Sequence, residues 1–167
     1  MLKDIHLVER QHRLEHRIRF MVAPSFLVSE GIGLHAQAVA FPGDEAQRWL
    51  MDAILVPLGI PADGSDFAGI HDARNALWGA WGNGAHLAAQ GRYDTEIGDY
   101  LRRWGLLTEP ETATALGLLR DPVMQIYVLG YDHGWRLLRP WLNGHDRRAR
   151  MRRLLTEPVL PSDVSTE

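Results

Sequence analysis

The sequence predicts an all-α protein, a bundle-like assembly of about seven helices, on three observations. Apolar residues recur at helical spacing through most of the 167 residues. Helix start signals punctuate the chain at Asp44, at Thr108-Glu109-Pro110-Glu111 and at Asp121-Pro122. Strand-like alternation bounded by turns is nearly absent, and no repeat of roughly 20 to 50 residues marks a solenoid.

Leu2, Ile5, Val8 (or Leu7), Leu14, Ile18 and Met21 are spaced for one helix face with Arg, Glu and His between them. This predicts an amphipathic helix over about residues 4–22, closed by Pro24. Ser25 is the N-cap expected for a second helix running to about Phe41, where Pro42-Gly43 makes a turn. Asp44 caps a third, ending between Pro57 and Gly59. Residues 61–65, Pro-Ala-Asp-Gly-Ser, read as a loop, and the Ala/Leu/Trp-rich text from Asp66 to about Gln90 reads as one helix, weakened by Gly79, Gly82 and Gly84.

Asp94 opens a short helix through Trp104, and the capping box at Thr108 opens the next. The helix after Pro122 carries Val123, Ile126, Tyr127, Gly130, Tyr131, Gly134, Leu138 and Trp141 on one broad face, and Asn143-Gly144 ends it. An Arg-rich helix over about 146–155 completes a single helical domain, 1–155, with 156–167 expected as a disordered tail.

Composition narrows the function classes. With 46% hydrophobic residues the chain has material for a core, which excludes disorder for most of it. Lys+Arg 18 against Asp+Glu 21 gives a formal charge of -3, not the footprint of a nucleic-acid binder. The run Arg147, Arg148, Arg150, Arg152, Arg153 reads as a solvated helix face. No apolar run approaches the roughly 18 residues of a membrane span, and the charged N-terminal text is not a secretory signal, so a soluble, cytoplasmic protein is expected. The absence of cysteine leaves His, Asp and Glu as the only metal ligands, with eight His available. The six Trp residues either anchor helix contacts or form a surface for a partner, a second copy of the chain included.

Glu30 shares a helix face with Leu27, Gly31, Leu34 and Ala38, so its carboxylate projects from an apolar stripe. Three readings stay open: an ion pair with an Arg, a solvent-lined rim position, or a metal ligand or catalytic carboxylate. Gly31 and Gly33 point to another backbone or a ligand at close range. His12-Arg13-Leu14-Glu15-His16 has the H-x-x-E-H spacing of inverted zinc metalloproteases, against the blander reading of a charged face flanked by Arg13, Arg17 and Arg19. Tyr127 and Tyr131 share a face, either as packed aromatics bonded to backbone or as cleft residues, while the adjacent Asp132 and His133 point to different sides.

Phe26-Leu27-Val28-Ser29-Glu30-Gly31-Ile32, Trp104-Gly105-Leu106-Leu107, and Asp121-Pro122 leading to Tyr127-Val128-Leu129-Gly130-Tyr131-Asp132-His133-Gly134 together resemble a known family. It is the group of helical gluzincin-type zinc metallopeptidases related to carboxypeptidase Taq, and the resemblance covers the C-terminal part of that fold, from about Leu2 to Trp141. The resemblance implies Glu30 as the downstream zinc ligand and Tyr131 as hydrogen-bond donor to the oxyanion of a tetrahedral intermediate, with Tyr127 and His133 lining the same cleft.

The departure is that no H-E-x-x-H occurs here, so two zinc histidines and the general base are missing. Met1 is then an internal methionine, or the chain is a truncated or degenerate relative. The family's acidic residue seven places after the ligand Glu is Gln37 here, which removes a group that would orient the ligand. The leading expectation is the C-terminal portion of a zinc metallopeptidase or carboxypeptidase, inactive alone, acting on a peptide or small molecule once complete. The alternatives are a non-catalytic helical interaction module and a self-contained H-x-x-E-H zinc hydrolase with Glu30 as third ligand.

Overall fold

In the computed structural model, which describes residues 4–18, 20–41, 43–61 and 63–165, the described residues form eight α-helices and no strand. Outside the described residues lie Leu2 of the expected first helix, Arg19 of its basic face, Pro42 and Ala62 of the expected turn and loop, and the chain end, 166–167. The helices are α1 (Pro24–Ala40), α2 (Glu45–Leu50), α3 (Phe67–Ala76), α4 (Trp78–Ala89), α5 (Asp94–Trp104), α6 (Glu109–Leu119), α7 (Pro122–Leu142) and α8 (Arg147–Thr156). None of the described helices is long and apolar enough to cross a membrane.

The start signals at Thr108 and Asp121 work as chemistry demands, whereas Asp44, expected to cap α2, makes no side-chain cap bond and pairs with Arg48 at 3.1 Å. Thr108 and Glu111 close the capping box of α6, the Thr108 backbone N–H donating to the Glu111 carboxylate at 2.8 Å. The Asp121 carboxylate accepts from the N–H groups of Val123 and Met124 at 2.7 and 3.1 Å, and Pro122 fills the first position of α7.

Several expectations are corrected. The amphipathic helix over 4–22 is replaced by a π-helical stretch, Ile5–Arg10, and a 3-10 turn, Leu14–Arg17, separated at His12 by a left-handed residue (φ 55°). Leu7 and Val8 are buried, but Leu14 is 61% and Ile18 81% exposed; with nothing to cover the second half of the apolar stripe, the helix loses there the packing that sustains most helices in water. Pro24 accordingly opens a helix at its first position, behind the extended Ala23, where it was expected to close one, and Ser25 lies inside α1. The single helix expected over 66–90 breaks at Leu77 into α3 and α4. α4 then lies along α7, its Gly82 in contact with Leu129 and Asp132.

The 21-residue α7 is the spine. Its first half joins α4, α5 and α6 in one apolar cluster, of Ala85, Ala88, Ile97, Leu101, Ala115, Leu119 and Val128. Its second half joins α1 and α8 in another, where Val28, Leu138, Leu142, Met151 and Leu154 meet Val159 and Val164. The last two come from the segment expected to be a disordered tail. Its described part, through Ser165, instead closes the second cluster, Val159 being 2% and Val164 1% exposed.

Helices α1 and α7 meet glycine on glycine. A Cβ added to Gly31 of α1 would meet the Gly134 carbonyl oxygen at 2.5 Å, and one added to Gly134 of α7 would meet the Leu27 carbonyl oxygen at 2.5 Å. The close approach expected from the glycines of α1 is thus real at Gly31. Gly33 has nothing within 4 Å of an added Cβ.

Candidate functional site

The Gly31–Gly134 crossing brings Glu30 of α1 against the tyrosines of α7. The Tyr127 hydroxyl donates to Glu30 Oε1 at 3.2 Å and lies 2.7 Å from the Tyr131 hydroxyl. A phenol has one proton, so with Tyr127 directed at the carboxylate, Tyr131 donates to Tyr127 and the three groups form a relay ending on Glu30. Glu30 is half-buried, and its hydrogen-bond donor is a tyrosine; no arginine pairs with it among the described residues. Packing of the tyrosines is also present, but their hydroxyls bond one another and Glu30 in place of backbone.

Aromatic contacts hold the relay. Tyr131 stacks on Trp78 of α4 with ring centroids 4.2 Å apart, Tyr127 meets Tyr131 edge-on at 5.2 Å, and Phe26 of α1 packs against Tyr127 at 5.8 Å. Burial pushes the Tyr131 phenol well above its usual range, and the Tyr127 hydroxyl and Glu30 carboxylate add to the effect. The shift favours the protonated phenol, a hydrogen-bond donor.

Glu30, Tyr127 and His133 line a cavity of about 310 Å³ whose other walls are mostly apolar, among them Met21, Phe26 and Ile126. Tyr131 does not line it and reaches it through Tyr127. His133 is exposed on the cavity side, whereas the adjacent Asp132 is buried under α4 and accepts from Arg136 Nε at 2.8 Å, so the two do point apart. The sequence reading missed Trp78, whose only local signal was membership of a Trp-rich helix.

His12 and His16 are not brought onto one helical turn: the left-handed His12 and the 3-10 turn after it break the register that two imidazoles four apart need. Among the described residues no three His, Asp or Glu side chains are grouped so as to hold a metal ion. Glu30 offers one carboxylate, and a zinc centre needs three protein ligands or more, so these residues alone do not fit the metal. Compared with protein-family models, with curated proteins and with solved structures, the chain matches none.

Proposed function

We propose that the chain is the C-terminal portion of a zinc metallopeptidase-like or carboxypeptidase-like protein, contributing Glu30 as a metal ligand and Tyr131 as a hydrogen-bond donor to the reacting oxyanion. The observation that supports it is the Glu30–Tyr127–Tyr131 relay, a carboxylate aimed by a tyrosine at the wall of a cavity. Tyr127 holds the carboxylate in place, as a ligand's outer hydrogen bond does. Tyr131 lies behind Tyr127, so its donation to an anionic oxygen requires the joined H-E-x-x-H segment to extend the site as far as its hydroxyl. His133 and Tyr127 contact the substrate, a peptide or a small molecule, in the cytoplasm.

Zinc histidines are not among the grouped residues, so an H-E-x-x-H segment has to be supplied by another stretch of polypeptide. The chain alone is therefore expected to hydrolyse no peptide even with zinc. Joined to an in-frame H-E-x-x-H segment it gains zinc-dependent hydrolysis, which Glu30→Gln abolishes; hydrolysis that survives Glu30→Gln overturns the assignment.

Exposed apolar residues favour a second reading, a non-catalytic interaction module. Between Leu14 and Ile70 the chain exposes Ile18, Phe20, Trp49, Val56, Leu58 and other large apolar side chains. Of the six Trp residues, Trp49 and Trp104 are exposed, while Trp78, Trp81, Trp135 and Trp141 are half-buried. A discrete oligomer in sedimentation, with no zinc bound after joining the H-E-x-x-H segment, selects this reading.

A further inference from the structure

A second cavity, of about 440 Å³, lies between α1, α3, the end of α7 and the start of α8, and its walls are charged and polar where those of the Glu30 cavity are mostly apolar. Asn75 of α3 lines it. That residue is only 6% exposed, yet its carboxamide makes no hydrogen bond within the described residues. The carboxamide opens on the cavity and is not spent on another side chain or backbone group, so it is free to hydrogen-bond a molecule that enters.

The charges around Asn75 say what that molecule is. Arg139 and Arg147 line the same cavity, and neither forms an ion pair among the described residues; the single carboxylate in the wall is Asp72. Arg139 is held over the Trp135 ring, its guanidinium carbon 5.0 Å from the centroid. His35 also stacks on that ring, with centroids 6.4 Å apart and planes 2° apart, and its Nε2–H donates to the Trp135 carbonyl at 2.9 Å. Arg147 is the first residue of the ten-residue α8, whose N-cap Asp146 makes no side-chain cap bond and whose first turn holds no acidic residue. The two guanidiniums and the Asn75 amide N–H groups are therefore the donors in this part of the wall.

These are more donors, from more directions, than two carboxylate oxygens can accept, and they suit a tetrahedral oxyanion. The cavity is also several times larger than an inorganic phosphate ion, and Leu34 and Leu142 give it apolar walls. We propose that this cavity binds a small phosphate monoester, its phosphate held by Arg139, Arg147 and the Asn75 carboxamide and its organic body against Leu34 and Leu142. The assignment is independent of the peptidase reading and uses none of its residues.

Calorimetric titration of the full chain with phenyl phosphate, inorganic phosphate and benzoate tests it, because phenyl phosphate and benzoate share a body and differ in the anionic head. Phenyl phosphate is expected to bind saturably and about tenfold more tightly than either of the others, with affinity falling as salt rises. Arg139→Gln and Arg147→Gln should each weaken it about tenfold. Asn75→Leu is expected to weaken binding while leaving the thermal midpoint of the free chain near that of the parent, since the amide it removes has no hydrogen bond to lose; a purely structural asparagine would lower the midpoint. Arg147→Gln changes a partly exposed first-turn residue and keeps the test open should a core variant fail to fold. No saturable binding at millimolar phenyl phosphate, or binding indifferent to both arginine variants, overturns the site. Tighter binding of benzoate overturns the phosphate assignment, and equal binding of inorganic phosphate overturns the monoester.

Discussion

Leu106 carries its backbone at φ 56° with its side chain 71% exposed. A left-handed leucine costs roughly 1–2 kcal/mol, and little burial offsets it here. Leu106→Asn, which tolerates that conformation without the chain entropy of glycine, is expected to raise stability by about 0.5–1 kcal/mol in urea unfolding. An unchanged midpoint would mean that the turn after Gly105 relaxes.

His35 gives the other residue-scale prediction. Burial lowers its pKa below the usual 6.5, against the opposing pull of its bond to the Trp135 carbonyl, while Arg139 lowers it and Asp72 raises it. With the folded pKa depressed, the unfolded chain takes up the proton first as pH falls. Stability from this group is therefore complete above pH 6.5 and declines below it, until the folded ring also titrates. His35→Gln should flatten the loss of stability between about pH 7 and pH 5 relative to the parent. At this scale Glu30 was legible, because a carboxylate on an apolar stripe needs an explanation. Its partners were not, because Tyr127 lies 97 residues away and only a helix crossing makes them neighbours.

Among elements, the α1–α7 crossing is the most constrained contact. Gly31→Ala or Gly134→Ala places a methyl 2.5 Å from a backbone oxygen that has no flexible way to yield, so each should cost about 2–4 kcal/mol and disturb the Tyr127–Glu30 bond. Gly33→Ala, on the same helix with open space around it, should stabilise by about 0.5–1 kcal/mol. Equal thermal shifts for Gly31→Ala and Gly33→Ala would remove the crossing from the account of the site.

Which elements could be read from the text follows the range of the interactions that make them. α5, α6 and α7 begin where Asp94, Thr108 and Pro122 announce them, because N-terminal acids, capping boxes and first-turn prolines act within three residues. The stretch before Pro24 has an equally good helical period, but beyond Leu7 and Val8 its apolar stripe finds no surface, and the period alone does not hold a helix.

For the whole molecule, two apolar clusters share one helix, and the second is completed by the chain's last described residues. A chain stopped after Thr156 loses the burial of Val159 and Val164, which at about 1.5–3 kcal/mol each amounts to roughly 3–6 kcal/mol as an upper figure. A large drop in thermal midpoint is expected, and an unchanged one would show that the segment merely rests on the surface. Polar composition suggested a loose tail; what holds it is two valines spaced to reach a groove made by α1, α7 and α8.

By itself the sequence determined the helical class, the restriction of any metal chemistry to His, Asp and Glu, and the starts of the helices with local caps. Only the tertiary structure decided that Glu30 meets Tyr127, that His12 and His16 do not share a turn, that Asn75 faces a cavity beside Arg139 and Arg147, and that the tail belongs to the core. The reason is range: caps and periods are satisfied within one or two turns of chain, whereas a buried polar group is satisfied by whatever a distant helix brings to it.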